Sequence, residues 1–387
     1  MKQQQTPNDF LAITPEIKAI DERDIADNVL YYEYATKHLA RLEKEGIDKD
    51  DPRFLSAYRS FEGEVFENVM YEILLRHALQ HTAITEFIIK GPHKPRTKAL
   101  SNALSISSKG QIVYRTKSKE IGEFDALFCA GKELYFVEMT LVKSVSNLKK
   151  RLRKKKALLN VLFPEYTIKA LIIVDEGATG VKQLPSYCTV WLTKPFSAQR
   201  YYQKMILEHN HSRKPFKKIH AKNIVGTRML KTHPFRYYNV LGWIFTGLRN
   251  HNKYIINMQF LKRPDVTRFI DLFTKIYIGY MEVDEFRKLY PKAPEKIPDR
   301  VMVSIDKEHT GELTLAYYFQ HSRKNLEYVK ANDAGELTIS KKDPYGITVT
   351  EVVHIFKMSK SYHELKKADV LKIAALLEKM PIQYNAL

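Results

Sequence analysis

The chain has 387 residues, 44% of them hydrophobic and 28% charged, with 15 Gly and 16 Pro. That length and balance suit two or three domains of about 150 residues each and exclude a wholly disordered or fibrous protein. Lys and Arg outnumber Asp and Glu by 63 to 44, a net charge of +19, which selects for polyanionic partners, chiefly nucleic acid or an acidic membrane face.

In chain order, residues 14–45 are expected to be helical. Ile25, Val29, Tyr32, Leu39 and Leu42 recur near helical spacing, with Asp21 or Asp24 as cap, and Gly46 and the polar IDKDDP end the segment. A second helix is expected from about Phe54 to Gln80, on Leu55, Tyr58, Phe61, Val65, Val69, Ile73 and Leu74. Beyond it the period falls towards two. ITEFII (84–89) is a short strand, and KGPHKPRTK (90–98) is a basic loop. Extended pieces follow at Leu104–Ser107, Gly122–Cys129 and Glu133–Val142, the last two joined by a tight Gly131-Lys132 turn. Ser144 then opens a strongly basic helix over Val145–Phe163, and Thr167–Val174 and Cys188–Leu192 are further strands.

This order predicts an α/β domain at 51–195, a central mixed sheet flanked by helices, after an N-terminal helical segment at 1–50. An additional α+β region fills 196–387: helical over 196–290, a β-meander over 300–357 and a closing helix at 362–380. No apolar run approaches the about 20 residues that a bilayer span needs; Tyr237–Leu248 is too short and holds two glycines. The opening MKQQQTPNDF has no apolar signal core, and Cys129 and Cys188 each sit in a strand-like setting. A reduced, cytoplasmic protein without a membrane partner is therefore expected.

The chemistry concentrates in Glu123-Phe124-Asp125 and, across the hairpin, Tyr135-Phe136-Val137-Glu138-Met139-Thr140. Asp125 and Glu138 are flanked by apolar residues. A buried carboxylate costs several kcal/mol unless a cation or hydrogen bonds partner it. Two carboxylates about 4 Å apart repel by about 4 kcal/mol at an effective dielectric near 20, and a divalent cation between them reverses that sign. Oxygen-only ligation suits Mg2+ or Mn2+.

These residues resemble the PD-(D/E)xK, or restriction-endonuclease-like, nucleases. Asp125 matches the strand Asp and Glu138 the Glu of the next strand, with twelve residues between them. Gly63-Glu64-Val65-Phe66-Glu67 resembles the GxxFE pattern of the preceding helix, which makes Glu67 a third acid. The resemblance covers about 140 residues and implies phosphodiester hydrolysis with Mg2+ or Mn2+ held by Glu67, Asp125, Glu138 and the Met139 carbonyl. It favours DNA over RNA, in a restriction, defence, transposition or repair setting.

The sequence departs from the pattern at one place: the lysine expected two positions after the Glu is Thr140. A hydroxyl cannot supply its charge. Either another lysine reaches in, with Lys143, Lys149 and Lys155 as candidates, or the site binds nucleic acid without efficient cleavage. The run Lys149, Lys150, Arg151, Leu152, Arg153, Lys154, Lys155, Lys156 is a candidate phosphate-backbone contact, the alternative being a solvated helix face. Arg213–Lys222 and Arg228, Lys231, His233, Arg236, Tyr237 and Tyr238 mix basic and aromatic residues as single-strand binders do. The adjacent His209-Asn210-His211 and the GATGVK at 177–182 carry no weight as nuclease or P-loop motifs. The C-terminal region is left to select the target, or to bind a second copy or a partner protein.

Overall fold

The computed structural model describes residues 22–94, 103–116, 119–208, 218–233, 257–273, 275–293, 300–307, 312–320, 326–331, 337–340 and 363–379, with a few single positions between them. The chain divides into two compact units, one running to Phe235 and one from Arg236 to Ala386. Among the described residues no helix is long and apolar enough to cross a membrane.

The N-terminal segment forms two helices, α1 (Glu22–Val29) and α2 (Lys37–Lys44), instead of the single helix expected. Tyr32 falls in the connection between them and Leu39 on α2, and Asp24 falls inside α1, not at its cap. The long helix α3 (Pro52–Gln80) starts at Asp51, whose Oδ1 accepts the Arg53 N–H at 2.8 Å, with Pro52 in the first turn where its missing N–H costs nothing. One side of α3 (Phe54, Phe61, Val65) packs on Ile25, Val29, Leu39 and Leu42 of α1 and α2. The other side (Phe66, Met70, Tyr71, Leu74, Ala78) packs on the central sheet. The N-terminal helices thus cover the outer face of α3.

The first unit continues with β1 (Glu86–Ile88), β2 (Ala103–Ile106), β3 (Ile112–Thr116), β4 (Lys119–Phe124), β5 (Ala126–Ala130), β6 (Glu133–Thr140), helix α4 (Lys149–Leu162, entered through a 3-10 turn at Val145–Leu148), β7 (Thr167–Asp175), β8 (Cys188–Thr193), α5 (Gln199–Tyr202) and β9 (Ile224–Val225). The central sheet is mixed, in the order β8-β7-β6-β5-β1-β9. β6, β7 and β8 run parallel; β5 is antiparallel to both β6 and β1, and β9 joins β1 in parallel. This last pairing carries the unit past residue 195, where a boundary was expected.

A smaller sheet, β2-β3-β4, stands beside the central one. The expected single strand Gly122–Cys129 is in fact two, β4 and β5, in different sheets, with Asp125 at the corner between them. β3 was not expected from the sequence: QIVYRT is short and half polar, and it is a strand because it lies between β2 and β4.

Alternation on the strands sorts the two faces. Tyr135, Val137 and Met139 of β6, with Ala126 and Phe128 of β5, face the cluster built on α3. The alternate positions, Asp125, Phe136 and Glu138, fall to the opposite face, where α4 lies with Leu152, Leu158, Leu159 and Leu162 buried. The first unit is therefore mixed α/β with a helix layer on each face of its central sheet.

The second unit holds α6 (Met258–Leu261), α7 (Pro264–Phe273), β10 (Lys275–Glu282), α8 (Val283–Leu289), β11 (Arg300–Lys307), β12 (Leu313–Gln320), β13 (Leu326–Ala331), β14 (Leu337–Ser340) and α9 (Lys367–Glu378). Its strands form one antiparallel sheet in sequence order, β10-β11-β12-β13-β14; β11, β12 and β14 are strands of the meander expected from the sequence, and β10 and β13 are additional. Of these, β10 corrects the expectation of helix there: KIYIGYME is rich in β-branched and aromatic residues and pairs along β11. The expected strand at 347–356 lies outside the described residues, as does most of 209–256.

One close approach fixes the loop that follows β1. Gly91 N–H donates to the Gly110 carbonyl at 2.7 Å, and Gly110 has φ +82°, so that a Cβ there would lie 2.8 Å from the Gly91 Cα. Gly110→Ala should therefore lower stability by about 1–3 kcal/mol, from left-handed backbone strain plus the displaced loop, read as a fall in thermal midpoint. An unchanged midpoint would show that this approach is not a constraint.

Candidate active site

The acids singled out from the sequence lie where the central sheet and the small sheet part. Asp125 is 8% exposed and Glu138 2% exposed. The β5–β6 ladder stops at Ala126–Val137, and beyond its end Asp125 Oδ2 accepts the Met139 N–H at 2.7 Å. The carboxylate thus supplies an acceptor for a backbone donor where strand pairing has run out, and this fixes its orientation.

The cation beside these acids comes from the facing helix. Lys155, 8% exposed, projects from α4; its Nζ donates to Glu138 Oε2 at 2.7 Å and lies 3.8 Å from Asp125 Oδ1. The ring of Phe124 lies 5.8 Å from the same ammonium. Arg151, one turn earlier on α4, pairs with Glu138 Oε1. Leu148, Leu152, Lys155, Leu159 and Leu162 are all buried, so Lys155 occupies an apolar stripe of core spacing. Burial works to lower its pKa, but the carboxylates of Asp125 and Glu138 outweigh that and hold the ammonium above its usual range. Burial and then the charge of Asp125 raise the Glu138 carboxyl, against Lys155 and Arg151.

The other two candidate lysines are not at the site. Lys143 is exposed, and its carbonyl accepts from Thr179 N–H and Oγ1. The carbonyl of Lys149 accepts from Arg153 Nε at 3.4 Å. Among the described residues neither lysine pairs with Asp125 or Glu138. In the rest of the basic run, Lys150 and Lys154 are exposed, Arg153 is half-buried and Lys156 lies over the Tyr187 ring at 4.2 Å. The run is thus divided: Arg151 and Lys155 turn to the acids, and Lys150 and Lys154 face solvent. Arg213–Lys214 and Arg236–Tyr238 lie outside the described residues; Arg228, Lys231 and His233 are exposed.

Glu67, on α3, pairs with Lys90, the first residue of the basic loop. Burial pushes its carboxyl up to about 7; Lys90 opposes this, while the charges of Asp125 and Glu123 add to it. Glu123 is raised likewise by burial and by Asp125. Lys90 was not picked out from the sequence, where its only signal was a lysine in a basic loop, and Glu123 was quoted beside Asp125 without a role of its own. Among the described residues no three His, Cys, Asp or Glu side chains converge closely enough to hold a metal ion. Glu67 is instead engaged with Lys90, and Asp125 and Glu138 share Lys155.

The loop bearing Lys90 is clamped from behind. Glu72 is fully buried; its Oε1 accepts from Tyr32 OH at 2.7 Å and lies 2.8 Å from His93 Nε2, and its Oε2 accepts from Asn28 Nδ2 at 3.2 Å and from Arg76. Burial works to raise this carboxyl, but His93 and Arg76 outweigh it and hold it down at about 2. The Tyr71 hydroxyl also accepts the Lys90 N–H at 2.8 Å and donates to the Ile88 carbonyl at 3.0 Å.

Comparison of the chain with protein-family models, with curated proteins and with solved structures found no match. The reading of the site therefore rests on its own geometry and chemistry.

By ligand chemistry alone, a pair of carboxylates is the oxygen donor type that a hard divalent cation takes. Asp125 and Glu138 are both oxygen donors and already bracket one positive charge, and the half-buried Glu67 lies within electrostatic reach of Asp125.

Two outcomes follow. Lys155→Met leaves buried Asp125 without its cation and Glu138 with Arg151 alone, and should cost about 3–5 kcal/mol in chemical denaturation, part of it recovered by adding Glu138→Gln in the same chain. A loss under about 1 kcal/mol would mean that the ammonium is not the partner that keeps the acids buried. For Glu67, a folded pKa raised from the ordinary 4.5 to about 7 means the folded protein holds the proton that the unfolded chain releases, so this group's contribution is complete below about 4.5 and is lost as pH rises through 7. The stability of Glu67→Gln relative to the parent should accordingly improve between pH 5 and pH 8; a difference that stays flat over that range contradicts the raised pKa.

Proposed function

We propose that the first unit is a metal-dependent nuclease of restriction-endonuclease-like architecture, hydrolysing phosphodiester bonds in nucleic acid, DNA before RNA. The observation that carries this reading is the buried Asp125–Lys155–Glu138 group, two strand carboxylates around one ammonium at the end of a mixed sheet. In the resemblance, the missing element was a lysine two positions after Glu138. Lys155 supplies an ammonium beside the same Glu from α4.

Asp125, Glu138 and the Met139 carbonyl, with Glu67, are the residues that would hold Mg2+ or Mn2+. Such an ion supplies charge neutralisation at the phosphate and a more acidic water. The chain's own groups do the rest. The Met139 N–H holds the Asp125 carboxylate in place. Lys155 carries a fixed positive charge against which negative charge on a phosphate oxygen can develop, in a setting that excludes most water. Lys150 and Lys154, exposed on the same helix, lie where a polyanion following α4 would meet them.

The test is cleavage of plasmid and linear DNA, and of RNA, by the full chain in Mn2+ or Mg2+, against a chelator control. Activity should fall by on the order of a hundredfold or more in Glu138→Ala and in Lys155→Ala. Absence of cleavage with either ion on all substrates, or undiminished cleavage by Glu138→Ala, would overturn the proposal.

A further inference from the structure

Glu138 is held by two cations of unequal standing. Lys155 is buried and shared with Asp125, so its withdrawal would leave Asp125 without its cation in the interior and Glu138 with Arg151 alone. Arg151 holds only Glu138 Oε1, and its side chain is 50% exposed. A half-exposed arginine can exchange its carboxylate for water at little cost. The two lie four residues apart on one face of α4, so releasing Arg151 requires no movement of the helix or of Lys155.

Charge balance gives the exchange a direction. Asp125 and Glu138 are matched by Lys155 and Arg151, so the group is neutral as it stands. A divalent cation arriving at Glu138 competes with Arg151 for the same oxygen and repels its guanidinium. The freed fork of N–H donors matches a phosphate bidentately, better than a lysine could. The cation adds two positive charges, and an entering phosphodiester held by Arg151 offsets one of them.

We propose that Arg151 is an exchangeable plug: it occupies Glu138 until a divalent cation displaces it, and then binds the phosphate of the polynucleotide. This rests on the nuclease reading and adds to it a residue that couples cation to substrate. Because cation and phosphate would each free what the other needs, each should tighten the binding of the other by the same factor, and the coupling should pass through Arg151.

The experiment measures Mn2+ binding by calorimetry on the full chain, without nucleic acid, for the parent, Arg151→Ala and Arg151→Lys. It then measures anisotropy of a phosphorothioate DNA duplex, resistant to cleavage, with and without Mn2+. Removing a half-exposed competitor should tighten Mn2+ binding by up to about fivefold in Arg151→Ala, while the parent's Mn2+-dependent gain in duplex affinity disappears. Arg151→Lys should restore the weaker cation binding but only part of the duplex coupling. If the parent binds Mn2+ and cleaves DNA but Arg151→Ala matches it in both cation affinity and coupling, the plug is wrong and the nuclease reading stands. If the parent neither binds Mn2+ nor cleaves, both fall together. Melting curves identify any variant that is misfolded, and in that case Arg151→Gln, which keeps most of the stem, takes the place of Arg151→Ala.

Discussion

One buried ammonium between two carboxylates organises the first unit. Removing the ammonium leaves Asp125 in a low-dielectric interior without its cation and Glu138 with Arg151 alone, a larger penalty than the trio contributes in net stability. The arrangement therefore acts less as glue than as a constraint on where the chain can run. β6 has to present Glu138 to α4, and α4 has to place Lys155 in its apolar stripe. The chain at Asp125 has to leave one sheet and enter another so that its carboxylate reaches both the ammonium and the Met139 N–H. Strand, corner and helix are aligned by the same requirement.

A second charged cluster repeats this logic on the α3 side. Glu67 is matched by Lys90, and Lys90 is held by its neighbours: Tyr71 takes its backbone N–H, Gly91 rests on Gly110, and His93 is tied to the buried Glu72. Glu72 also gathers Tyr32, Asn28 and Arg76, which anchors the N-terminal helices to the same loop. Those helices thus fix the loop from which Lys90 reaches Glu67. Both lysines are placed by packing and not by charge attraction alone, which in water would leave long side chains mobile.

What was legible in the sequence follows from what periodicity can encode. The long helix, the β5–β6 hairpin with its Gly131 turn, the basic helix and the buried strands of the sheet each carry a local pattern of one period, and each formed close to where the pattern placed it. Asp125 and Glu138 were legible because acids amid apolar residues are costly unless partnered. The corner at Asp125 was not, because a strand that changes sheets keeps its alternation and so looks continuous. β3 and β10 depend on their neighbours for strand formation, and the break between α1 and α2 depends on Tyr32 reaching Glu72, a contact made across forty residues. Lys90 and Arg151 take their roles entirely from tertiary partners.

Thr140 and Lys155 belong to one argument. On β6 the side chains of Glu138 and Thr140 share a face, so a lysine at 140 would rise from the strand towards the space that α4 covers. A lysine on α4 enters the same space from the opposite side. Electrostatics depends on the position of the charge and not on the backbone it hangs from, so either origin gives the carboxylates the same field. The origins differ in what else they impose. A strand lysine leaves the facing helix free to be apolar, whereas Lys155 takes a core position in α4 and ties the docking of that helix to the ionisation of Asp125 and Glu138. The same helix then carries Arg151 at the rim of the site and Lys150 and Lys154 in solvent, so that one element combines the interior charge with the surface that a polyanion would meet first.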